Sequence, residues 1–374
     1  MHVLITGGAG FIGSHTADGL LERGHTVRIL DSLEPPVHRA SHPPYLPPGA
    51  EFIKGDVRSR DDLDRALRGV DAVIHLAAYQ DYLTDFSRFF HVNAVGTALL
   101  YELIVAQKYP IQKVVVASSQ AVYGEGKYEC NDHGTLWPGG RPVEHLERGE
   151  WDIRCPVCRT ALRPVPTDET AVNPTNSYAI SKYTQELIAL NLGRRYRIPT
   201  AAMRYSIVQG PRQSFSNAYS GACRIFCLRM QFGHPPVVYE DGRQLRDYVY
   251  IGDVVQANLL VLEREEADGE VFNVGGGRAV SVLEFARTVA DVFGRPVEPE
   301  VAVKYRYGDT RHIISDISKL RRLGWTPEGS VSRSVREYVA WLRAQPDLQD
   351  YATQADETMS RMQVVRQVRE RETS

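Results

Sequence analysis

The sequence has few of the features that mark secreted, membrane-spanning or nucleic-acid-binding proteins. Five cysteines in 374 residues are too few for a disulfide framework. A formal net charge of −2 gives no electrostatic reason to expect nucleic acid or an anionic membrane as a partner. No apolar run approaches the roughly 20 residues that cross a bilayer, and the N-terminus lacks the basic segment of a signal peptide. We therefore expect a cytoplasmic protein.

A glycine-rich turn follows a short apolar stretch at the N-terminus. Residues 1–6 are suited to a buried parallel strand, and an amphipathic helix follows the turn. In such a unit the early glycines allow a tight turn close to a pyrophosphate, and the last lets the helix pack on the strand. Free N–H groups at the start of the helix then face the phosphates. The predicted cofactor residues here are Gly7, Gly10, Phe11, Ile12 and Gly13.

Acidic and small residues at the ends of the next predicted strands extend this site. Asp31 ends a second strand, where its carboxylate can bind the adenosine ribose hydroxyls and repel a 2′-phosphate, so NAD is favoured over NADP. A third strand over 52–57 and a fourth over 72–78 bring further cofactor residues. These are Asp56, Val57, Leu76, Ala77 and Ala78. Because a fifth strand covers 113–118 and helices alternate with the strands, the sequence predicts a Rossmann-type α/β fold with a doubly wound parallel sheet.

A tyrosine and a lysine four positions apart, Tyr178 and Lys182, lie in a predicted helix over 178–192. At that spacing both side chains share one helical face. The ammonium favours the phenolate, so the tyrosine can exchange a proton with a sugar oxygen. Ser119 ends strand five, and ligands of such sheets bind beyond the carboxyl ends of the strands. We predict that these three residues are catalytic.

Taken together, the motifs resemble the extended short-chain dehydrogenase/reductase family, which includes nucleotide-sugar epimerases and dehydratases. The resemblance covers nearly all of residues 1–345. Its motifs, in chain order, are residues 7–13, Asp31, residues 55–57, residues 75–78, Asn93, Ser118-Ser119, Tyr178 with Lys182, and Arg246-Asp247-Tyr248. The resemblance implies bound NAD, contacted also by Asn93, and a homodimer through the helices around 93–108 and 178–192.

The resemblance also implies a role for each site residue. Tyr178 accepts a sugar hydroxyl proton while hydride passes to NAD, Ser119 orients or relays the proton, and Lys182 holds the nicotinamide ribose. The keto sugar turns, and the hydride returns to its opposite face. The expected contacts with a nucleotide diphosphate sugar are Gln80, Ser119, Gln120, Tyr178, Tyr205, Arg246, Arg306 and Asp309. The two guanidiniums suit a diphosphate because each gives paired, charge-assisted hydrogen bonds.

Several positions at which the sequence differs from related enzymes indicate which reaction the protein catalyses. The 4,6-dehydratases carry an Asp-Glu pair after the catalytic Ser or Thr, but Gln120 and Ala121 cannot act as acid or base. This favours 4-epimerisation. Gln80 stands where UDP-galactose 4-epimerases carry a Lys, and Ser206 where many members carry an Asn. The segments around these positions are most similar to bacterial dTDP-L-rhamnose 4-epimerases, which make or consume dTDP-6-deoxy-L-talose.

Three other functions are compatible with the sequence. One is another UDP-, GDP- or dTDP-sugar epimerase, for example of UDP-glucuronate or UDP-galactose. A decarboxylase, a reductase or a 3,5-epimerase is a second, although Asp31 argues against the phosphorylated cofactor that net reduction usually needs. A non-catalytic NAD-sensing protein is a third, although such relatives typically lose the Tyr/Lys pair.

Residues 125–167 are more than the family usually needs between strand five and the helix of Tyr178. This insertion contains two close pairs of metal-binding side chains: Cys130 with His133, and Cys155 with Cys158. The spacing is that of a structural zinc site, and a short segment of low apolar content would gain order from the metal. The alternative is free thiols and an exposed histidine.

The domain prediction follows from these assignments. The composition, 43% hydrophobic and 24% charged, is ordinary for a globular protein. We predict an NAD-binding domain over 1–205 and a smaller α/β substrate domain over 206–345, with 237–262 partly returning to the first. Residues 272–274 are predicted as a strand of the substrate domain. A polar tail, helical or frayed, is expected over 346–374.

Overall fold

The computed structural model describes residues 1–35, 37–38, 43–81, 84–216, 221–295, 297–346 and 348–369. Parts of the stretch 34–50, whose many Pro and His residues predict a loop, and of the predicted tail lie outside these residues. The strands are β1 (His2–Thr6), β2 (Thr26–Asp31), β3 (Glu51–Lys54), β4 (Ala72–His75), β5 (Lys113–Ser119), β6 (Tyr128–Cys130), β7 (Gly134–Leu136), β8 (Arg163–Pro164), β9 (Thr200–Tyr205), β10 (Ile207–Gln209), β11 (Val237–Val238), β12 (Leu245–Tyr250), β13 (Val271–Val274), β14 (Ala279–Ser281), β15 (Glu300–Val301), β16 (Lys304–Arg306) and β17 (Val365–Gln367).

The helices alternate with the strands in the first half of the chain. They are α1 (Phe11–Glu22), α2 (Arg60–Leu67), α3 (Phe86–Phe89), α4 (Gly96–Ala106), α5 (Val143–Glu147), α6 (Ser177–Tyr196), α7 (Gly221–Gln231), α8 (Ile251–Glu263), α9 (Val282–Val292), α10 (Ser318–Arg322), α11 (Val331–Arg343) and α12 (Tyr351–Arg361). A π-helical turn, Phe90–Val95, joins α3 to α4, and short 3₁₀ turns cover Gln120–Tyr123 and Glu265–Ala267.

A seven-stranded parallel sheet forms the centre of the molecule, in the order β13-β9-β5-β4-β1-β2-β3. The predicted doubly wound sheet is therefore confirmed. Its inner strands are apolar because helices cover both faces. In β1, Val3 and Ile5 pack in the cluster that contains α1 and α8, whereas Leu4 packs with α2, α4 and α6. Alternate side chains of one strand thus serve the cores on both faces.

Two strands end earlier than predicted. β3 stops at Lys54, paired with the last residue of β2, and β4 stops at His75, paired with the last residue of β1. β1 and β2 end at the same points, and one further amide hydrogen bond follows each ladder, from Gly55 to the Asp31 carbonyl and from Leu76 to the Thr6 carbonyl. The residues that follow, 55–57 and 76–78, are therefore loops at the carboxyl edge of the sheet, where a ligand can approach them.

The substrate side of the molecule has its own apolar core. Buried residues of α7, α9, α11 and α12 form one cluster there, beside the small sheet β10-β12-β14. The prediction for residues 272–274 was wrong in one respect. β13 pairs with β9 in the large sheet, because Phe272 and Val274 are apolar and fill the edge position above the core. The predicted return of residues near 237–262 corresponds to α8, whose buried face packs with α1.

The segment after residue 346 is folded where the structure describes it. In α12 the side chains of Ala352, Ala355 and Met359 are buried, and β17 pairs antiparallel with β16. The continuous helix Phe86–Ala106 has the length and mean hydropathy, 1.5, of a membrane span, which differs from our reading of the sequence. Half of that window is buried in the fold, as expected for a core helix.

Candidate active site

The glycine turn brings three chain segments into close contact. Gly7 has φ +67°, and a Cβ there would lie 2.7 Å from the amide nitrogen of Ala77. A Cβ at Gly13 would lie 2.3 Å from the carbonyl oxygen of Gly7. α1 begins after Gly10, and no side chain among the described residues caps its first turn. The N–H groups of that turn, including those of Phe11 and Ile12, are therefore available to a phosphate.

A groove runs from this turn across the carboxyl ends of β2, β3 and β4. It brings together nine of the predicted site residues: Gly7, Gly10, Asp31, Asp56, Val57, Leu76, Ala77, Ala78 and Gln80. The carboxylate of Asp31 accepts hydrogen bonds from the N–H groups of Ala9 and Leu33, at 3.0 and 2.9 Å. These bonds fix a negative charge beside the glycine turn.

Three charged groove residues were missed by the sequence analysis. Arg58 pairs with Asp56 and with Glu34, at 2.5 and 2.7 Å. Arg88, which also pairs with Glu34, lies over the ring of Tyr79 with 4.4 Å between the guanidinium carbon and the ring centre. The pairing with Arg58 and its neighbours lowers the pKa of Asp56 despite the desolvation that opposes it. Arg58 directly follows the motif at 55–57, so extending that motif by one residue would have found it.

Lys182 is buried beneath the groove on α6. Its ammonium donates to the amide oxygen of Gln185, and burial lowers its pKa to about 7. Gln185 in turn donates to the hydroxyl of Thr97 at 2.9 Å. This fixes which end of the amide faces the ammonium. The sequence analysis missed Gln185 and Thr97, since neither belongs to a short motif.

A buried histidine completes this network. The Thr97 hydroxyl donates to the carbonyl of Asn93, so it can only accept from Nε2 of His75, 2.9 Å away. His75 is then the neutral tautomer with its proton on Nε2, and Nδ1 accepts from Thr6 at 2.7 Å. Complete burial lowers the pKa of His75 to about 3, which keeps the ring uncharged. The network links the end of β1 to the predicted catalytic lysine.

Asn93 lies in the π-helical turn, fully buried. Its amide oxygen accepts from the N–H of Tyr79, and its nitrogen donates to the carbonyl of Tyr79 and to the Ser181 hydroxyl. The residue thus ties the loop after β4 to the helix of Tyr178. Irregular π turns of this kind are frequent at functional sites.

The two predicted proton-transfer residues lie on neighbouring elements. Ser119 is the last residue of β5, and its hydroxyl accepts from the N–H of Ala121 at 3.2 Å. Tyr178 is half-buried in the first turn of α6, which begins at the cap Asn176. A buried ion pair between Glu186 and Arg204, with a hydrogen bond from Ser118 to Glu186 at 2.8 Å, fastens α6 to β5 and β9.

The predicted diphosphate residues form a second group on the substrate side. Arg246 donates to the carbonyls of Thr310 and Arg311, at 2.7 and 3.0 Å. This places it against the segment that follows Arg306 and Asp309, which are 3.7 Å apart. The structure thus brings together two segments that lie 60 positions apart in the sequence.

Tyr205, a predicted substrate contact, is buried in the structure. Its ring is in the core between β9 and α8, and its hydroxyl donates to Asn258 at 2.7 Å. The next residue, Ser206, bonds to Asp247 and Ser315. Gln80 is exposed at the groove. Gln120 is buried, and its amide oxygen has no partner among the described residues.

The four metal-binding side chains of the insertion also come together. Their ligand atoms lie within 4.8 Å of one another: Cys130, His133, Cys155 and Cys158. The sequence predicted this grouping. None of the four lines the groove, and they lie at the three-stranded sheet β7-β6-β8, of which Cys130 is a member.

Comparison with known proteins places these features in a family. The sequence matches the model of the NAD dependent epimerase/dehydratase family over residues 3–138 and 160–275. The chain belongs to this family. The dTDP-L-rhamnose 4-epimerase of Burkholderia thailandensis is 35% identical over 352 residues, which cover 92% of this chain and 96% of the relative.

Two solved structures are similar to this family member over 92% of its chain and 99% of theirs. One is the UDP-glucose 4-epimerase of Thermotoga maritima with UDP-glucose, at a TM-score of 0.75 and 30% identity. The other is the UDP-glucose 4-epimerase of Thermus thermophilus with NAD, at 0.69 and 29%. The uncapped helix and the glycines that leave no room for a Cβ fit such a dinucleotide. The family model omits residues 139–159, which belong to the insertion.

Proposed function

We propose that the protein is an NAD-dependent nucleotide-sugar 4-epimerase that interconverts dTDP-L-rhamnose and dTDP-6-deoxy-L-talose. The assignment as an NAD-dependent nucleotide-sugar epimerase follows from membership of the family. The sugar is supported by the 35% identity to the Burkholderia enzyme over nearly the whole chain. It is also supported by Gln80 and Ser206, which replace the Lys and Asn expected for an ordinary UDP-galactose enzyme.

The observation that carries 4-epimerisation is the pairing of a complete Ser/Tyr/Lys set with a neutral amide beside it. Ser119 and Tyr178 lie on neighbouring elements, and Lys182 is held in place by Gln185. Gln120 directly follows Ser119, and Ala121 follows that. Neither side chain can donate or accept a proton at the sugar C5 or C6, so the chain lacks the acid and base that a 4,6-dehydratase carries there.

In this proposal each site residue has one role in the epimerisation. Tyr178 takes the proton of the sugar hydroxyl and returns it, Ser119 orients that hydroxyl, and the ammonium of Lys182 favours the phenolate. Bound NAD supplies a reversible hydride acceptor. Arg246 and Arg306 would bind the diphosphate, and Asp309 the nucleoside ribose, so that the sugar can turn while the nucleotide stays fixed.

A second candidate is a UDP-hexose 4-epimerase, which the Thermotoga structure with UDP-glucose favours. The test is NMR of the sugar after incubation of the purified enzyme, without reductant, with dTDP-L-rhamnose, UDP-galactose, UDP-glucuronate or GDP-mannose. We expect a C4 epimer from dTDP-L-rhamnose alone. A C4 epimer from a UDP-sugar alone would overturn the assigned sugar and keep the chemistry. No product from any donor, with NAD bound, would overturn both.

We also propose a homodimer through the helices of residues 86–106 and α6. Ile180 and Leu187, seven residues apart on one face of α6, are 41% and 50% exposed, and Val95 on the other helix is 52% exposed. Sedimentation velocity should give twice the mass of the chain, 42.0 kDa. Leu187→Glu should shift the protein to monomer, whereas a wild-type monomer would refute the dimer.

A further inference from the structure

Two tight turns present the four metal-binding side chains of the insertion. Cys130 and His133 lie on the turn between β6 and β7. Cys155 and Cys158 lie on a second turn, closed by hydrogen bonds from Arg159 N–H to the Cys155 carbonyl and from Cys155 N–H to the Thr160 carbonyl, at 3.0 and 2.8 Å. The backbone of each turn therefore fixes two ligands before any metal binds.

The distances between the ligand atoms match the edges of a tetrahedron. Zinc–sulfur and zinc–nitrogen bonds of about 2.3 and 2.05 Å give sulfur–sulfur edges of about 3.8 Å and sulfur–nitrogen edges of about 3.6 Å. In the structure Cys130 Sγ lies 3.5 Å from Cys158 Sγ and 3.5 Å from His133 Nδ1. Cys155 Sγ lies 3.6 Å from the same nitrogen. A disulfide needs a separation of about 2.05 Å, so these sulfurs are not bonded.

The apolar core around these side chains is small. The local apolar cluster contains only two buried residues besides cysteines, Tyr128 and Leu162. The hydroxyl of Tyr128 is buried with no partner among the described residues. A segment with so small a core needs another source of order, and a metal is the usual one.

We propose that Cys130, His133, Cys155 and Cys158 bind one structural Zn²⁺, and that this site holds the insertion against the nucleotide-binding side of the protein. Three thiolates and one imidazole in tetrahedral array are a closed zinc site, with no position left for substrate. The family model matches the stretch that contains Cys130 and His133 but omits residues 139–159, which contain Cys155 and Cys158, so two of the four ligands lie outside the part of the chain that the family model describes.

A group of charged side chains, which we call the ionic clasp, connects the insertion to the substrate side; Arg141, Glu240 and Arg311 are buried, whereas Asp241 is partly buried and Asp152 is exposed. It consists of Arg141 and Asp152 of the insertion and Glu240, Asp241 and Arg311 of the substrate side. Arg141 donates to Glu240 at 2.8 Å, and Arg311 to Asp241 and Asp152 at 2.7 and 2.9 Å.

The clasp touches the predicted nucleotide-binding segment directly. Arg141 donates to the carbonyl of Asp309 at 2.8 Å, and Arg246 donates to the carbonyl of Arg311. Asp152 lies three residues before the ligand Cys155. Loss of the metal is therefore expected to weaken the contacts of Arg141 and Asp152 with the segment that carries Asp309 and supports Arg246. This second part of the proposal rests on the proposed function.

The first test measures metal without reference to activity. Elemental analysis of the purified full chain should find one zinc per chain in wild type and in the control Cys223→Ala, whose thiol lies in α7. Cys155→Ser and His133→Ala should lose it and melt at lower temperature. Wild type without zinc, or either ligand variant with full zinc, would overturn the site.

The second test measures nucleotide binding by calorimetry with dTDP and UDP, which needs no turnover. Arg311→Met cuts the clasp and leaves the ligands intact, so it should keep zinc and bind the preferred nucleotide roughly tenfold more weakly. The affinity for NAD should not change. Unchanged nucleotide affinity in both Arg311→Met and Cys155→Ser would overturn the coupling. If wild type binds zinc but neither nucleotide, the proposed function fails and the zinc site stands.

Discussion

The NAD-binding sheet and the insertion are stabilised by different kinds of interaction. The sheet is held by continuous apolar packing on both faces, in which Val3, Leu4 and Ile5 are fully buried. The insertion has a small core, and its contacts with the rest of the chain include a buried ion pair, between Arg141 and Glu240. Hydrophobic burial tolerates many sequences of similar volume. A buried ionic network requires particular partners.

The NAD-binding half and the substrate-binding half of the site differ in the same way. The phosphate-facing part of the cofactor half is built mainly from backbone: glycines, strand ends and an uncapped helix. The substrate half depends on side-chain charges, and its geometry depends on residues far away in the sequence. Changes in the first half should therefore act on NAD or on the chemistry alone, and changes in the second on the nucleotide and on stability.

The largest effect is expected from Tyr178→Phe, which removes only a hydroxyl. It tests whether the chemical step can be lost while NAD binding and the zinc site stay unchanged. We expect kcat to fall by about 10³-fold or more, because the base that takes the sugar proton is lost. NAD content and zinc content should equal those of wild type. Turnover is measured by NMR of the sugar, and NAD by absorbance of the nucleotide released on denaturation.

Tyr183→Phe is the matched control, since it removes a hydroxyl from the same helix, where the ring packs near Val122 and Ile313. It should keep near-wild-type turnover. Equal losses in both variants would show that the helix, and not the phenol of Tyr178, sets the rate.

The residues that line the groove could be predicted from the sequence because their signals are local. Residues 7–13 sit between a strand and a helix that periodicity reveals, and Asp31 is found by counting along the chain. The same reasoning found the four zinc-type ligands, since each pair is close in the sequence.

The remaining features depend on contacts that no local pattern encodes. Arg141 and Glu240 are 99 positions apart, and Glu125 and Arg311 are 186 positions apart. The family motif around Tyr205 predicts a site residue, whereas its side chain packs in the core between β9 and α8. Which face of a strand end meets a ligand is decided by the register of its neighbours.

A smaller effect, confined to the cofactor half, is expected from Gly13→Ala. Its methyl group would lie 2.3 Å from the carbonyl oxygen of Gly7, so the turn must open and its N–H groups move from the phosphates. We expect about 100-fold weaker NAD binding, from the loss of two or three charge-assisted hydrogen bonds. Isothermal titration of NAD-free protein measures it.

Gly139→Ala is the control in the insertion, where an added Cβ meets open space. It should leave NAD affinity and melting temperature unchanged. If Gly13→Ala bound NAD like wild type, the close approach at the glycine turn would not be needed for the cofactor.

The smallest effect is expected at Glu125, where the insertion begins. Its carboxylate is buried, and burial raises its pKa from 4.5 to about 7, against the opposing charge of Arg141. The folded protein then holds a proton that the unfolded chain releases between about pH 4.5 and 7. The stability that this group contributes is therefore full below pH 4.5 and is lost as the pH rises through 7.

Glu125→Gln keeps the acceptor for the N–H of Arg311 and removes the titration. Relative to wild type it should gain about 1–2 kcal/mol in unfolding free energy between pH 5 and pH 8, measured by urea denaturation. Glu129→Gln, in a more exposed ion pair with Arg163, should differ from wild type by about 0.5 kcal/mol or less at both values. A constant offset for Glu125→Gln would mean that Arg141 keeps the carboxylate charged throughout. The clasp would then hold a true ion pair at this position, and the insertion would depend on charge even more strongly than its core already suggests.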